Sequence, residues 1–273
     1  WETVLEKNSE ERQHFAGEKV ITVIDSRQAR LQKIITTLMK QFKSEPNAYV
    51  HLAYESVTLS TETAKSLGLD TEKQVQMSGR RGIYVNADSV LDNLRDKAYT
   101  EAKKRNEDLE ESTLAEIAEQ VAVGTLRYEM VKQDLDKIIT FDLKKSLSLE
   151  GDTASYIQYA HARAGRILEK AGKEPDFDLL SGPFETPYEI NLIKGIGKLD
   201  IQIEDAANNL SPKVIGRYCY DLAMMFNAFY EHVKVLVTGK ESLMNSRLCL
   251  VHCFKETLAK ALDILGIPAL NRM

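Results

Sequence analysis

Hydrophobic and polar positions change their rhythm twice along this chain. Residues 19–25 (KVITVID) form a β-branched run ending in Asp-Ser and predict a buried strand. Residues 28–42 place Leu31, Ile34, Ile35, Leu38, Met39 and Phe42 at helical spacing, with Asp25 or Ser26 as the N-cap. Residues 49–59 alternate and predict a second strand. Strand, helix, strand is the unit of a parallel α/β sheet. A polar stretch over 60–74 leads to Met77-Ser78-Gly79-Arg80-Arg81-Gly82, and Asn86 or Asp88 then opens a long charged helix to about residue 108.

Beyond residue 111 the strand signals stop. Helical spacing predicts helices near 113–132, 153–171, 187–196, 199–209, 212–237 and 241–265, with a short extended piece over 141–143. Ser211-Pro212 is a helix start, and Gly239 and Gly266 stand where C-caps are expected. The fold class is therefore mixed: a partial α/β domain, an incomplete Rossmann-type sheet, followed by an all-α helical bundle. Residues 1–110 form the first part, 111–150 connecting helices, and 151–273 the bundle. Two strands are too few for a doubly wound sheet, which has about five or six, so the α/β part reads as the second half of a nucleotide-binding domain.

Composition narrows the partners. The 273 residues carry 36 Lys and Arg against 41 Asp and Glu, a net charge of −5, with 43% hydrophobic residues. That excludes wholesale disorder and a general coater of nucleic acid. RNA binding through local positive charge and stacking remains open. No apolar run reaches the roughly 18 residues of a membrane span, and no signal peptide is visible. Cys219, Cys249 and Cys253 make a poor disulfide framework and fit a reducing cytosol, so a cytoplasmic protein is expected.

Three segments carry candidate chemistry. In residues 77–82 two adjacent guanidiniums flanked by glycines can grip phosphate, although by itself such a turn is more often a solvated basic loop. Gln28 follows Asp25-Ser26-Arg27 at the C-terminal end of the first strand, where ligands of open α/β sheets bind. In residues 151–163 (GDTASYIQYAHAR), Tyr156, Tyr159 and Arg163 fall at i, i+3 and i+7 on one helix face and offer a base-stacking surface. Cys249, His252 and Cys253 are too few and too badly spaced for a structural zinc, and no metal site is expected.

The string 151–163 closely resembles the GDTGPYLQYAHAR signature of arginyl-tRNA synthetases. Residues 124–130 (GTLRYEM), Phe141-Asp142, the helix over 215–230 with Asn227 and Tyr230, Asn245-Ser246-Arg247-Leu248, and the ending Leu265-Gly266-Ile267-Pro268 to Arg272-Met273 resemble the same family in the same order. The family activates arginine with ATP and transfers it to the tRNA 3′ end. By this resemblance Met77, Ser78, Arg80 and Arg81 belong to the mobile loop that stabilises ATP phosphates, with Mg2+ accompanying the ATP and no tightly bound cofactor. Gln28 matches the Gln that recognises the substrate guanidinium. Tyr156, Tyr159, Tyr230 and Met273 match the residues around the anticodon loop. Arg163 and Arg247 are added to that set from their helix positions and charge. Departures are Gln76 for a Lys, Leu31 for a His, and Ala154-Ser155 for Gly-Pro.

The other class I signature, His-x-Gly-His, does not occur among His14, His51, His161, His232 and His252. The expectation is therefore a C-terminal half, contributing part of the site to a parent ligase and inactive alone. Its partners are tRNA-Arg, arginine and ATP, and not a membrane. The parent is expected to be a monomer, and an exposed sheet edge could make this half self-associate. The alternative is a truncated non-catalytic paralogue acting as a tRNA-binding or protein-interaction module.

Overall fold

The computed structural model describes residues 19–43, 49–69, 75–76, 85–106, 109–180 and 184–273. The chain divides into two compact units, Trp1–Glu55 and Ser56–Met273.

In the first unit β1 (Val20–Asp25) and β2 (Tyr49–Tyr54) pair in parallel, Val20 opposite Tyr49 through Asp25 opposite Tyr54, joined by α1 (Ala29–Lys43). Tyr49 fastens this crossover: its hydroxyl donates to Gln32 Oε1 at 2.6 Å and accepts from Thr22 Oγ1 at 3.0 Å. Two strands cannot cover their own apolar side chains. Val20, Val23, Leu31, Ile34 and Leu38 all stay exposed, Val23 to 60%.

The strand predicted over 49–59 is two strands. β2 ends at Tyr54, and β3 (Val57–Leu59) starts a different sheet, antiparallel to β4 (Val75–Gln76) and parallel to β5 (Ile139–Phe141). The alternating pattern runs through the break at Glu55-Ser56, so it could not mark the change of partner. The polar stretch after it holds a helix, α2 (Thr61–Ser66), capped by the Ser60 hydroxyl accepting from Thr63 N. β5 is the short extended piece expected over 141–143, placed two residues earlier. It takes in Phe141, while Leu143 starts α5 (Leu143–Ser146) behind its N-cap Asp142.

α3 (Ala87–Arg105), opened by Asn86, and α4 (Glu111–Val131) pack as an antiparallel pair, with Lys103 against Glu111 at 3.6 Å and Arg95 against Glu119. α4 is a wall common to three apolar clusters. Its Ala122 meets Leu59, Leu94 and Phe141; its Leu114, Ile117 and Val121 meet Ala98, Ala102 and Leu270; its Tyr128 enters the bundle core.

That core lies between α6 (Ala154–Ala171), α7 (Pro187–Ile196), α9 (Pro212–His232) and α10 (Glu241–Ile264), with α8 (Leu199–Asn209) beside α9. Phe226 and Phe254 stack at 3.9 Å at its centre. α9 stops at His232 and not near 237, because Val233 turns extended (φ −123°, ψ 116°) and brings Val233 and Val235 into the core. Gly239 consequently caps no helix, whereas Gly266 (φ +63°) follows the end of α10 and turns the chain back. No helix among the described residues is long and apolar enough to cross a membrane.

Candidate nucleic-acid interface

The signature string has two jobs, divided along its length. Its first residues anchor it. Thr153 caps α6, accepting from Tyr156 N at 3.1 Å and donating to the Ser148 carbonyl at 2.6 Å. Asp152 accepts from the Tyr128 hydroxyl, and its carbonyl accepts from Lys132 Nζ at 2.8 Å.

The buried face of α6 then holds the chain's last residues. Gln158 Nε2 donates to the Pro268 carbonyl at 2.9 Å, and His161 Nδ1 donates to the Leu270 carbonyl at 2.6 Å. These bonds, with Arg127 donating to Gly266 O at 2.7 Å, lay residues 266–273 along the helix. They bring Met273 beside Tyr159 and Arg163. The lone histidine of the string is thus structural.

The other face of α6 presents the cluster. α6 and α9 run side by side in the same direction, since Tyr156 meets Tyr220 and, two turns on, Arg163 meets Asn227. The Arg163 guanidinium lies 4.7 Å from the Tyr159 ring centre and 4.5 Å from that of Tyr230. Arg163 Nη1 donates to Asn227 Oδ1 at 2.7 Å, which ties the guanidinium to α9. Cation–ring contacts of this kind are worth roughly 0.5–2 kcal/mol. A cavity of about 150 Å3 opens here, lined by Tyr159, Arg163, Arg166, Lys170, Tyr230 and Met273 among others. Of the guanidinium's five N–H donors, Asn227 takes one. Tyr230 is 44% exposed, so its ring is available to a planar partner.

Four of the six residues expected at the anticodon, Tyr159, Arg163, Tyr230 and Met273, are therefore together. Tyr156 is not with them: its ring packs on Tyr220 at 5.6 Å against the bundle core. The i, i+3, i+7 spacing is a true helix face, but α9 divides it. Arg247 is elsewhere too. Its Nε donates to Glu189 Oε1 at 2.8 Å and its Nη1 to the Lys234 carbonyl at 2.8 Å, joining α10 to α7. Gln28 ends the short 3-10 turn Ser26–Gln28 after β1 and is exposed. Beside it the Arg27 guanidinium bonds Asp25 and brings that carboxyl down to about 2. Met77, Ser78, Arg80 and Arg81 lie outside the described residues.

Sequence reasoning missed Arg166 and Lys170, although Arg163, Arg166 and Lys170 stand at i, i+3 and i+7 and could have been read as a basic line. Asn227 entered only through the resemblance, with no role, and an isolated Asn in an apolar helix gives no sign of one. Cys219 is buried, which pushes its thiol up to about 12. His252 turns its ring to Phe177 at 5.7 Å. Among the described residues no three His, Cys, Asp or Glu are placed to hold a metal.

Burial holds the His161 imidazole below its ordinary 6.5, against the pull of the Leu270 carbonyl, and nearby Lys255 acts in the same direction as burial. The unfolded chain then binds more protons than the folded one once pH drops below 6.5. Stability from this group is full above 6.5 and declines as pH falls toward the lowered folded value. Urea unfolding between about pH 7.5 and pH 5 should show a decline that His161→Asn reduces, since Asn can still donate to Leu270 O but does not titrate. A wild-type decline matched by the variant would assign the loss to other groups.

Comparison with known proteins gives this geometry its class first. Residues 157–273 match the model of the DALR anticodon binding domain. From residue 157 onward the bundle is thus similar to anticodon-binding domains.

The relatives narrow it further. The chain is 42% identical to the arginine–tRNA ligase of Methanothrix thermoacetophila over 72% of its own length and 35% of that protein. It is 36% identical to the arginine–tRNA ligase of Thermus thermophilus over 93% of its length and 41% of that protein. The solved arginyl-tRNA synthetase of Thermus thermophilus superposes with a TM-score of 0.78 at 34% identity, over 94% of this chain and 41% of that one. The Plasmodium falciparum arginyl-tRNA synthetase shares the fold, with a TM-score of 0.75 at 24% identity. The chain thus resembles, along nearly its whole length, the C-terminal region of arginyl-tRNA synthetases. It spans about two fifths or less of the length of the relatives it matches.

Proposed function

We propose that this chain is the anticodon-reading part of an arginine–tRNA ligase, together with a portion of its catalytic domain. The parent reaction is ATP-dependent attachment of arginine to tRNA-Arg, in the cytoplasm. Residues 1–110 belong to the Rossmann-type catalytic domain, 111–150 connect, and 151–273 read the anticodon. One observation carries this reading: the Arg163 guanidinium lies against the rings of both Tyr159 and Tyr230 and is tied to Asn227, beside Met273 and two further cations.

The chemistry follows from that arrangement. A chain with a net charge of −5 does not attract RNA by bulk charge, so its contacts must be local. Arg163, Arg166 and Lys170 supply a positive strip for phosphates, and the exposed Tyr230 ring supplies a stacking face. The guanidinium donors not used by Asn227 face base or phosphate acceptors.

In the catalytic portion Gln28 is assigned to the arginine side chain, with a side chain that both donates and accepts. Met77, Ser78, Arg80 and Arg81 are assigned to the phosphates of ATP and its Mg2+, where charge develops as pyrophosphate leaves. Alone the chain does not aminoacylate, because arginine and ATP must be positioned jointly for the reaction to be fast.

A tRNA-Arg transcript and an anticodon-swapped copy, titrated at near-physiological salt, test the reading. The native anticodon should bind about tenfold or more tighter, as the loss of one stacked or bidentate base contact predicts. Equal binding of the two would overturn it. Arginine-dependent ATP–pyrophosphate exchange by the chain alone would overturn the claim of inactivity and leave the anticodon reading untouched.

A further inference from the structure

A second and larger cavity adjoins the aromatic cluster. It has a volume of about 910 Å3, within the size range of ligand sites, and lies between α3, α4, α5 and the start of α6. Met273 lines both cavities, so the larger begins where the smaller ends. Its floor is aliphatic, from residues such as Ala102 and Val121.

Two serines line it. Ser155 is 1% exposed, and its hydroxyl has no hydrogen-bond partner among the described residues. A buried hydroxyl left unpaired is costly, and such groups call for a ligand or a bound molecule. Ser148 Oγ accepts from Glu150 N at 3.1 Å, which leaves its own hydrogen free to donate. At the rim stand Lys97, which has no ion pair among the described residues, and Lys144, which is 4.0 Å from Glu62. An apolar floor, hydroxyls that donate and accept, and cations at the mouth are the requirements of a nucleotide: a flat base, polar edges with a 2′-hydroxyl, and a phosphate.

We propose that this cavity takes one or two nucleotides of the single-stranded RNA loop, neighbours of the base held at Tyr159, Arg163 and Tyr230. The inference rests on the anticodon-binding reading above and extends it to a second subsite. Met273 is the partition between the two subsites. The strand passes over it, one base stacking on Tyr230 and the next entering against Ala102 and Val121. Ser155 hydrogen-bonds the base edge or ribose, and Lys97 meets the phosphate. The acidic rim residue Asp96 can accept from exocyclic amines.

The test compares Ser155→Ala, Lys97→Ala and Tyr230→Ala in binding of the tRNA-Arg transcript across a salt series. Ser155→Ala removes a hydroxyl that bonds nothing in the free protein, so its thermal midpoint should hold or rise. Its tRNA affinity should fall about 2- to 10-fold, the worth of one hydrogen bond. Lys97→Ala should bring the slope of log affinity against log salt toward zero by about 0.7, one single-strand phosphate contact. If both variants bind as wild type while Tyr230→Ala is weakened, the second subsite is refuted and the anticodon reading stands. If Tyr230→Ala is also unaffected, the anticodon reading has failed and takes this inference with it.

Discussion

Tyr230→Ala should weaken binding of the tRNA-Arg transcript about 5- to 150-fold while leaving the folded protein nearly as stable as before. The range is one lost base-stacking contact, roughly 1–3 kcal/mol, converted at about 1.4 kcal/mol per decade. Stability should change little because the ring is 44% exposed and lies outside the tightly buried core. The variant also removes one of the two rings that confine Arg163, so discrimination against the swapped anticodon should shrink together with affinity. Tyr230→Phe keeps the ring and should keep most of the affinity. Titration of both variants against both transcripts checks the result. An alanine variant that binds and discriminates as wild type would mean that the cluster is not the reading surface.

Arg247→Ala should do the converse, costing about 3 kcal/mol of folding stability with little loss of anticodon discrimination in the protein that remains folded. Glu189 has no exposed side-chain surface and Arg247 only 12%. Breaking a buried pair costs about 3–5 kcal/mol because one charge is left without its partner. The low end applies, since Glu189 Oε2 also accepts from Glu185 N, Thr186 N and Thr186 Oγ1 in its capping box.

Burial alone would raise the Glu189 carboxyl, but its hydrogen bonds to Thr186 and Arg247 outweigh burial and hold it below the ordinary value of 4.5. Its contribution is thus present above 4.5 and lost as pH falls through the lowered folded value. Without Arg247 the balance moves toward burial, and acid unfolding should begin at a higher pH. Urea denaturation of wild type and variant at neutral pH and near pH 4 measures both effects. A variant of unchanged stability that no longer binds tRNA would return Arg247 to the RNA surface.

The two arginines show how much of the site could be read from the chain. Both lie on helices of the bundle and both carry the same charge, so position and charge assigned both to RNA. What separates them is the partner each meets. Arg163 faces an Asn and two rings at the surface, whereas Arg247 faces a carboxylate with no access to water. Nothing local to residue 247 announces residue 189, which is 58 positions away. Tyr156 teaches the same lesson on a smaller scale. Its spacing from Tyr159 places it on the face α6 turns to α9, and Tyr220 of that neighbour takes it.

Most of the secondary structure was legible because its causes are local. Apolar spacing, Pro212 at the start of α9 and the Asn86 N-cap act within a turn or two of their own residue. The bounds of α6, α7, α8 and α10 came within about a residue for that reason. Apart from α2, whose Ser60 cap is local, the errors fall where a distant contact overrode the pattern. Residues 49–59 were divided between two sheets, and Val233 left its helix to reach the core.

By itself, then, the sequence determined which segments are helical, which family the chain resembles, and which residue types supply stacking and charge. Those properties reside in short stretches and in their order. Only the tertiary structure decided that Gln158 and His161 hold the C-terminal residues, so that Met273 meets Tyr159 and Arg163. It alone decided that Arg247 is spent on Glu189 and that Ser155, with an unpaired hydroxyl, lines a cavity. Hydrogen bonding and burial are relations between residues far apart in the chain, and they exist only once packing has brought those residues together.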